Sequence, residues 1–407
     1  MGDASPIIGH AAALDRLREG LRRNRLQHAW IFHGPQGVGK STVALELARL
    51  LLDPETTPVD IDRFAAPRES ETARLIAGQL HPDLHVIRRE LAMRSRSREL
   101  RRKKLTNLPI DLLREYVIGG HIEGVGQIDG PAYLTAVRGH GKVFIIEEAE
   151  LIERGGQNAL LKCLEEPPPR TWFILVTARE HELLPTIHSR CQRLAFTPLA
   201  PLEFDTWLSR SSVALGGAEG DWLRRLAGGA PGVATFAAAH DLASWHRELA
   251  PQIANLAAGQ FSAGLPDTMF TMVESLAEAL VKERVNAAKA AGDSARAAQE
   301  AEESDDDGDD DVAPEAGGGG KVQASKQSAK DDALRWMVAV LGDEIRHRLR
   351  HAVTSGGSPA PWLHQLSLLN GLERQAEANL NLRHILADFV AMASAGPEAS
   401  ILSEAMS

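Results

Sequence analysis

The octapeptide Gly34-Pro35-Gln36-Gly37-Val38-Gly39-Lys40-Ser41 matches the spacing G-x-x-x-x-G-K-[ST]. Phosphate groups need backbone N–H donors at close range, the positive end of a helix, an ammonium group and, for Mg2+, a hydroxyl. The glycines permit the approach, and Lys40 and Ser41 supply the last two. This is the chemistry of ATP held with Mg2+; a glycine-rich turn that only joins strand to helix is the plainer use. A second set of candidates follows the apolar run Val143-Phe144-Ile145-Ile146. In nucleotide hydrolysis one carboxylate there holds Mg2+ through water and the next polarises the attacking water. Glu147 and Glu148 fall at those positions, with Ser41 and Glu147 as the metal ligands. Glu147 stands where aspartate is usual, and its extra methylene displaces the carboxylate. A solvated acidic helix start is the alternative, so binding is expected to outlast hydrolysis.

Such side chains must be delivered by strand ends. Four short apolar runs, 29–33, 85–87, 142–146 and 171–177, alternate with helical patterns, which predicts an α/β domain around a mostly parallel sheet. Between the first two runs, Val43, Ala44, Leu47 and Leu51 recur at helical spacing over 41–52. Strand, glycine-rich turn and helix are the context the octapeptide requires. Beyond Pro198 and Pro201 the β-type runs stop. The expected organisation is a nucleotide-binding domain over 1–200, a small helical lid over 201–240 and an all-helical domain over 241–396. An alanine-rich, then acidic, then Gly317–Gly320 insert, about 290–332, carries too little apolar surface to offset chain entropy and is expected to be disordered.

Among 407 residues, 45 Lys and Arg face 55 Asp and Glu, for a net charge of -10. Residues 300–311 hold nine of the acids and no base, so the remainder is close to neutral. Coating of nucleic acid through bulk charge is thereby excluded; local basic patches are not. One such patch, Arg88–Lys104, has nine bases and could contact phosphates, though without aromatics for base stacking. A solvated surface helix or mobile loop is the other reading. Cys163 and Cys191 are the only cysteines, too few for a disulfide framework or a four-cysteine metal site. Cys163 reads as a core residue, and no zinc is expected. No stretch approaches the length of a membrane span, and the chain reads as cytoplasmic.

Further motifs carry a resemblance. NALLKCLEEPP over 158–168, the strand ending at Thr177 and Ile187-His188-Ser189-Arg190-Cys191 occur in that order. Together they resemble the AAA+ subunits of bacterial DNA polymerase III clamp loaders. His81-Pro82-Asp83-Leu84, Leu184-Pro185-Thr186-Ile187 and ANLNL over 378–382 are most similar to the delta-prime type, with the motor type, gamma or tau, as competitor. The resemblance covers residues 5 to about 240 and, weakly, the terminal helix. It implies an AAA+ domain, a lid and a helical collar, joined with motor and delta subunits in a hetero-pentamer. That assembly loads the sliding clamp onto primed DNA in replication. The resemblance makes Arg190 a finger in trans, reaching a neighbour's ATP site; pairing within its own domain is the alternative. Thr177 would be the polar sensor beside the γ-phosphate. Two departures stand out: residues 53–80 lack the family's zinc-binding cysteines, and the turn Ala230-Pro231-Gly232-Val233 lacks the lid arginine of motor subunits. With Glu147, they imply a subunit that binds ATP and hydrolyses it poorly. A free-standing DNA-stimulated ATPase of repair is a rival from another class.

Overall fold

The computed structural model describes residues 7–103, 106–213, 216–302, 318–377 and 381–396. Its strands are β1 (Ala29–His33), β2 (Leu84–Ile87), β3 (Gly120–Ile122), β4 (Gly126–Ile128), β5 (Lys142–Ile146), β6 (Thr171–Thr177) and β7 (Gln192–Ala195). Five of them form one parallel sheet in the order β2-β5-β6-β1-β7, and β3 and β4 pair separately as an antiparallel hairpin. A parallel sheet is covered on both faces, which is why every residue of β5 is buried. Register aligns His85 with Phe144 and Phe144 with Phe173. Their rings stack in sequence at 4.5 and 5.1 Å, a row of aromatic contacts across three strands. The four apolar runs are strands, and an α/β P-loop fold is the result. Because β1 lies between β6 and β7, the ends of β1, β6 and β5 lie side by side, where an open parallel sheet binds its ligands.

Two elements of this unit escape the sequence reading. Strand β7 lies at the sheet edge and buries only Leu194, so it lacks an apolar run. The basic segment after β2 is folded: a 3-10 turn over Arg89–Arg94 and a helical turn over Arg98–Arg102. Glu115 accepts hydrogen bonds from Ser95 Oγ and from the Arg96 N–H, the latter at 2.8 Å. Lys104 lies outside the described residues. The carboxylate of Asp83 accepts the backbone N–H groups of Val137 and Arg138, both at 2.8 Å, so this motif residue fastens the chain returning to β5.

Packing groups the chain into two units. The first runs to Ser212 and takes in Gly229–Gly232; the second holds the helices Gly217–Ala227 and Leu242–Ala257 and the C-terminal helices. In the second unit Ile253, Met269, Ile345, Leu386 and Phe389 are buried, and Trp336 stacks on Phe236 at 4.2 Å. Its core also holds two acids. Asp343 meets Arg225 at 3.0 Å, while Glu344 meets His246 at 2.9 Å and Arg348 at 2.6 Å.

The expectation of disorder over about 290–332 does not hold for its flanks. Helices Leu265–Glu302 and Gly318–Ser355 reach into that range from both sides; alanine, glutamine, lysine and glutamate favour helix, and Ser328 and Ala329 are fully buried. Residues 303–317, and 378–380 of the late ANLNL motif, lie outside the described residues. Among the described residues no helix is long and apolar enough to cross a membrane.

Candidate functional site

The octapeptide forms the turn between β1 and the helix Lys40–Leu52. Gly34 has φ 143°, and a Cβ there would come within 2.0 Å of the Phe196 carbonyl oxygen. Gly39, at φ 111°, opens the helix. Pro35 and Gln36 form the exposed crest, and Val38 is buried. Lys40 is almost fully buried, and its Nζ donates to the carbonyls of Gly34 and Pro35, both at 2.7 Å. Burial pushes this ammonium down to about 8, partly opposed by the Glu150 carboxylate. Ser41 follows in the first helical turn, partly exposed. Two neighbours cover the loop: the His10 ring lies 2.8 Å from the Val38 carbonyl, and the Gly232 N–H donates to the Gly37 carbonyl at 2.7 Å. A side chain at 232 would bring its Cβ within 2.9 Å of Gly37 Cα, so the glycine permits this backbone contact.

Strand register sets the other candidates. Thr177 pairs with His33, the residue before Gly34, which places it at the base of the loop. It is buried, and its Oγ1 accepts the Arg179 N–H at 3.0 Å. Glu147 and Glu148 leave the end of β5, beside β2. Since Ile87 pairs with Ile146, the next residues face one another: Arg88 opposite Glu147 and Arg89 opposite Glu148. Arg88 grips Glu147 with two nitrogens, Nε to Oε2 at 2.5 Å and Nη2 to Oε1 at 3.3 Å. Arg89 Nε lies 3.0 Å from Glu148, a charge contact without hydrogen-bond alignment. Glu150 accepts the Ala178 N–H at 3.3 Å through one oxygen; its other oxygen is buried without a hydrogen bond.

Mg2+ is the cation that such a fold implies, and the acids present do not fit it. The carboxylate that would hold the ion is clasped by a guanidinium group, and the next is paired too.

Arg190 stands apart from this cluster, after the short helix Pro185–His188. It donates to Thr186 O at 2.9 Å and pairs with Glu165, the last residue of the helix Arg154–Glu165. Of the two uses considered, pairing within its own domain is the one this conformation displays. Cys163 is buried 3.1 Å from the Tyr133 hydroxyl, and burial pushes its thiol up, which suits a core residue. His10, Gly232, Arg88, Arg89 and Glu150 went unrecognised as site residues. A signal existed for the arginines alone: they follow β2 directly, as the acids follow β5.

Loop and strand order define a P-loop domain of the AAA+ kind. Residues 9–200 match the family model described as DNA polymerase III, delta subunit. Over 199 residues the chain is 29% identical to DNA polymerase III subunit delta' of Bacillus subtilis, covering 49% of this chain and 50% of that protein. The Pseudomonas aeruginosa delta' subunit is 31% identical over 45% of this chain and 47% of its own length. Subunit tau of Escherichia coli is 32% identical over 46% of this chain and 24% of its own. The chain thus spans about half the length of the delta' proteins it matches. A solved gamma subunit-related protein of Thermotoga maritima aligns over 94% of this chain and 99% of its own, at 16% identity and a TM-score of 0.39. Residues 9–200 are thus similar to DNA polymerase III delta' subunits and, to a comparable degree, to gamma and tau subunits.

Proposed function

We propose that the chain serves as the delta-prime subunit of a DNA polymerase III clamp loader. It joins motor and delta subunits in the cytoplasm and helps to load the sliding clamp onto primed DNA. In this reading residues 201–240 act as the lid and 241–396 as the collar, and Arg190 completes an ATP site on the neighbouring subunit. The chain's own loop binds ATP and hydrolyses it poorly. The observation that carries this reading is the pairing of Glu147 and Glu148 with Arg88 and Arg89: a carboxylate held by a guanidinium is a poor general base. To serve in trans, Arg190 exchanges the Glu165 carboxylate for a phosphate, one oxyanion for another.

The experiment is reconstitution. Light scattering behind a sizing column, on the chain mixed with its organism's motor and delta subunits, is expected to give one complex containing a single copy. Persistent monomer, with the other subunits competent to assemble, overturns the reading. In the assembled ring, Arg190→Ala should lower hydrolysis at the neighbouring ATP site by about 10^3-fold, seen as loss of that site's share of the DNA-dependent turnover, and leave assembly intact; unchanged hydrolysis removes Arg190 from the mechanism. The gamma and tau relatives and the complete octapeptide favour a second reading, an active motor subunit. Steady hydrolysis by the isolated chain, abolished by Lys40→Ala, would establish that instead.

A further inference from the structure

From the arginine clasp on the two acids we infer that the loop at 34–41 is a magnesium-independent site, taking a nucleoside di- or triphosphate equally with or without the cation. The inference rests on reading 34–41 as a nucleotide site. In a metal-dependent loop the cation is drawn by uncompensated carboxylates and by phosphate oxygens at once. Here Glu147 and Glu148 carry two negative charges and Arg88 and Arg89 two positive ones, at contacts of 2.5 and 3.0 Å. A dication at these two carboxylates therefore meets one guanidinium charge for each acid, while Glu90, 3.6 Å from Arg89, and Glu150, which acts on Lys40, lie outside that pairing. To reach Glu147 it has to displace a two-point guanidinium contact, the geometry in which arginine holds carboxylates best.

The anion loses nothing by the cation's absence that the loop does not offer itself. The N–H groups at the start of the helix Lys40–Leu52 point towards the turn. Lys40 brings an ammonium whose present partners are two neutral carbonyls, Gly34 O and Pro35 O. A phosphate is a stronger acceptor than either, because a charged acceptor roughly doubles the strength of a hydrogen bond. Burial holds that ammonium down to about 8, and a phosphate at the same nitrogen would raise it again. Arg88 is the specificity determinant in this scheme. It decides whether the carboxylate beside the loop is open to a metal, without itself being required for the phosphate contacts.

Titration calorimetry of the full chain with ATP and with ADP, in excess MgCl2 and in EDTA, tests this. For the wild type the two dissociation constants should agree within about threefold. Arg88→Gln removes the charge at a half-exposed position, and its melting temperature verifies the fold. This variant should bind more tightly in MgCl2 than in EDTA, by about tenfold or more. Wild-type affinity that falls by that factor in EDTA overturns the inference. So does an Arg88→Gln protein whose affinity ignores Mg2+, since the arginine would then not be the cause. Absence of binding under every condition overturns the nucleotide reading itself, and the inference with it. Failure of the chain to assemble with motor subunits, with metal-independent binding intact, would remove the clamp-loader role and leave this site standing.

Discussion

Glu147-Glu148 and Asp343-Glu344 are both consecutive acids met by arginines, yet they do opposite things. The pair in the helical unit is sunk in the core, with Asp343 and Glu344 each 5% exposed. Glu344 has a histidine and an arginine at hydrogen-bond distance, and Arg225 lies 3.6 Å away. Solvent cannot replace those partners, so the cluster acts as structure. The pair at the end of β5 sits at the rim of the sheet, where the Arg88 side chain is 51% exposed. Water can take over the Arg88 contact there at little cost, although Arg89 beside it is buried. What separates the two is burial: the same ion pairs are a fixed joint in one place and an exchangeable stopper in the other.

The comparison can be broken most sharply from the buried side. Glu344→Ala leaves Arg225, Arg348 and His246 facing an empty position, and should cost the helical unit about 3–5 kcal/mol. Denaturant unfolding followed by tryptophan fluorescence measures this, because Trp222 stacks on His246 at 4.8 Å. A loss below about 1 kcal/mol, the size of a surface pair, would erase the distinction.

Acid titration comes next in size. Burial alone would raise the Glu344 carboxyl, but hydrogen bonds from His246 and Arg348, and their charges, hold it at about 2. Its folded value is therefore depressed below the ordinary value of 4.5. The stability it contributes is complete above that value and is lost as pH falls from about 4.5 towards 2. Glu344→Gln should narrow the gap to wild type over that window, and a gap that stays constant below pH 4.5 would refute the assignment. His85 adds a term of the same sign at higher pH. Burial lowers it to about 4 from 6.5, so the neutral ring supports the folded state above 6.5 and progressively less as pH falls towards 4.

The smallest effect belongs to the rim. Arg88→Gln should change stability by less than about 1 kcal/mol at physiological salt, and less again at high salt. A larger cost would make the clasp a structural joint like its buried counterpart.

What the sequence reveals follows the range of the contacts concerned. The octapeptide, Thr177 and the four apolar strands are legible because each is local, a spacing or an alternation within ten residues. Arg88 and Arg89 lie about 60 positions from the acids they meet, and only the adjacency of β2 and β5 joins them. Gly232 reaches Gly37 across nearly 200 residues; the turn around it shows in the sequence, its contact does not. Helix in the flanks of the insert was hidden for another reason: its composition favours helix without showing an amphipathic periodicity in the sequence.

Gly34 has a consequence for how long such a motif endures. The carbonyl of Phe196 occupies the space any side chain at 34 would need, 2.0 Å from the Cβ position, and Phe196 belongs to the strand-end backbone rather than to any ligand contact. Selection for a folded sheet is thus enough to preserve this glycine after selection for nucleotide turnover has ceased. Lys40, with its short polar contacts and buried stem, is the position where drift should register first. A lineage that abandons the chemistry will display an eroded lysine beside an intact first glycine.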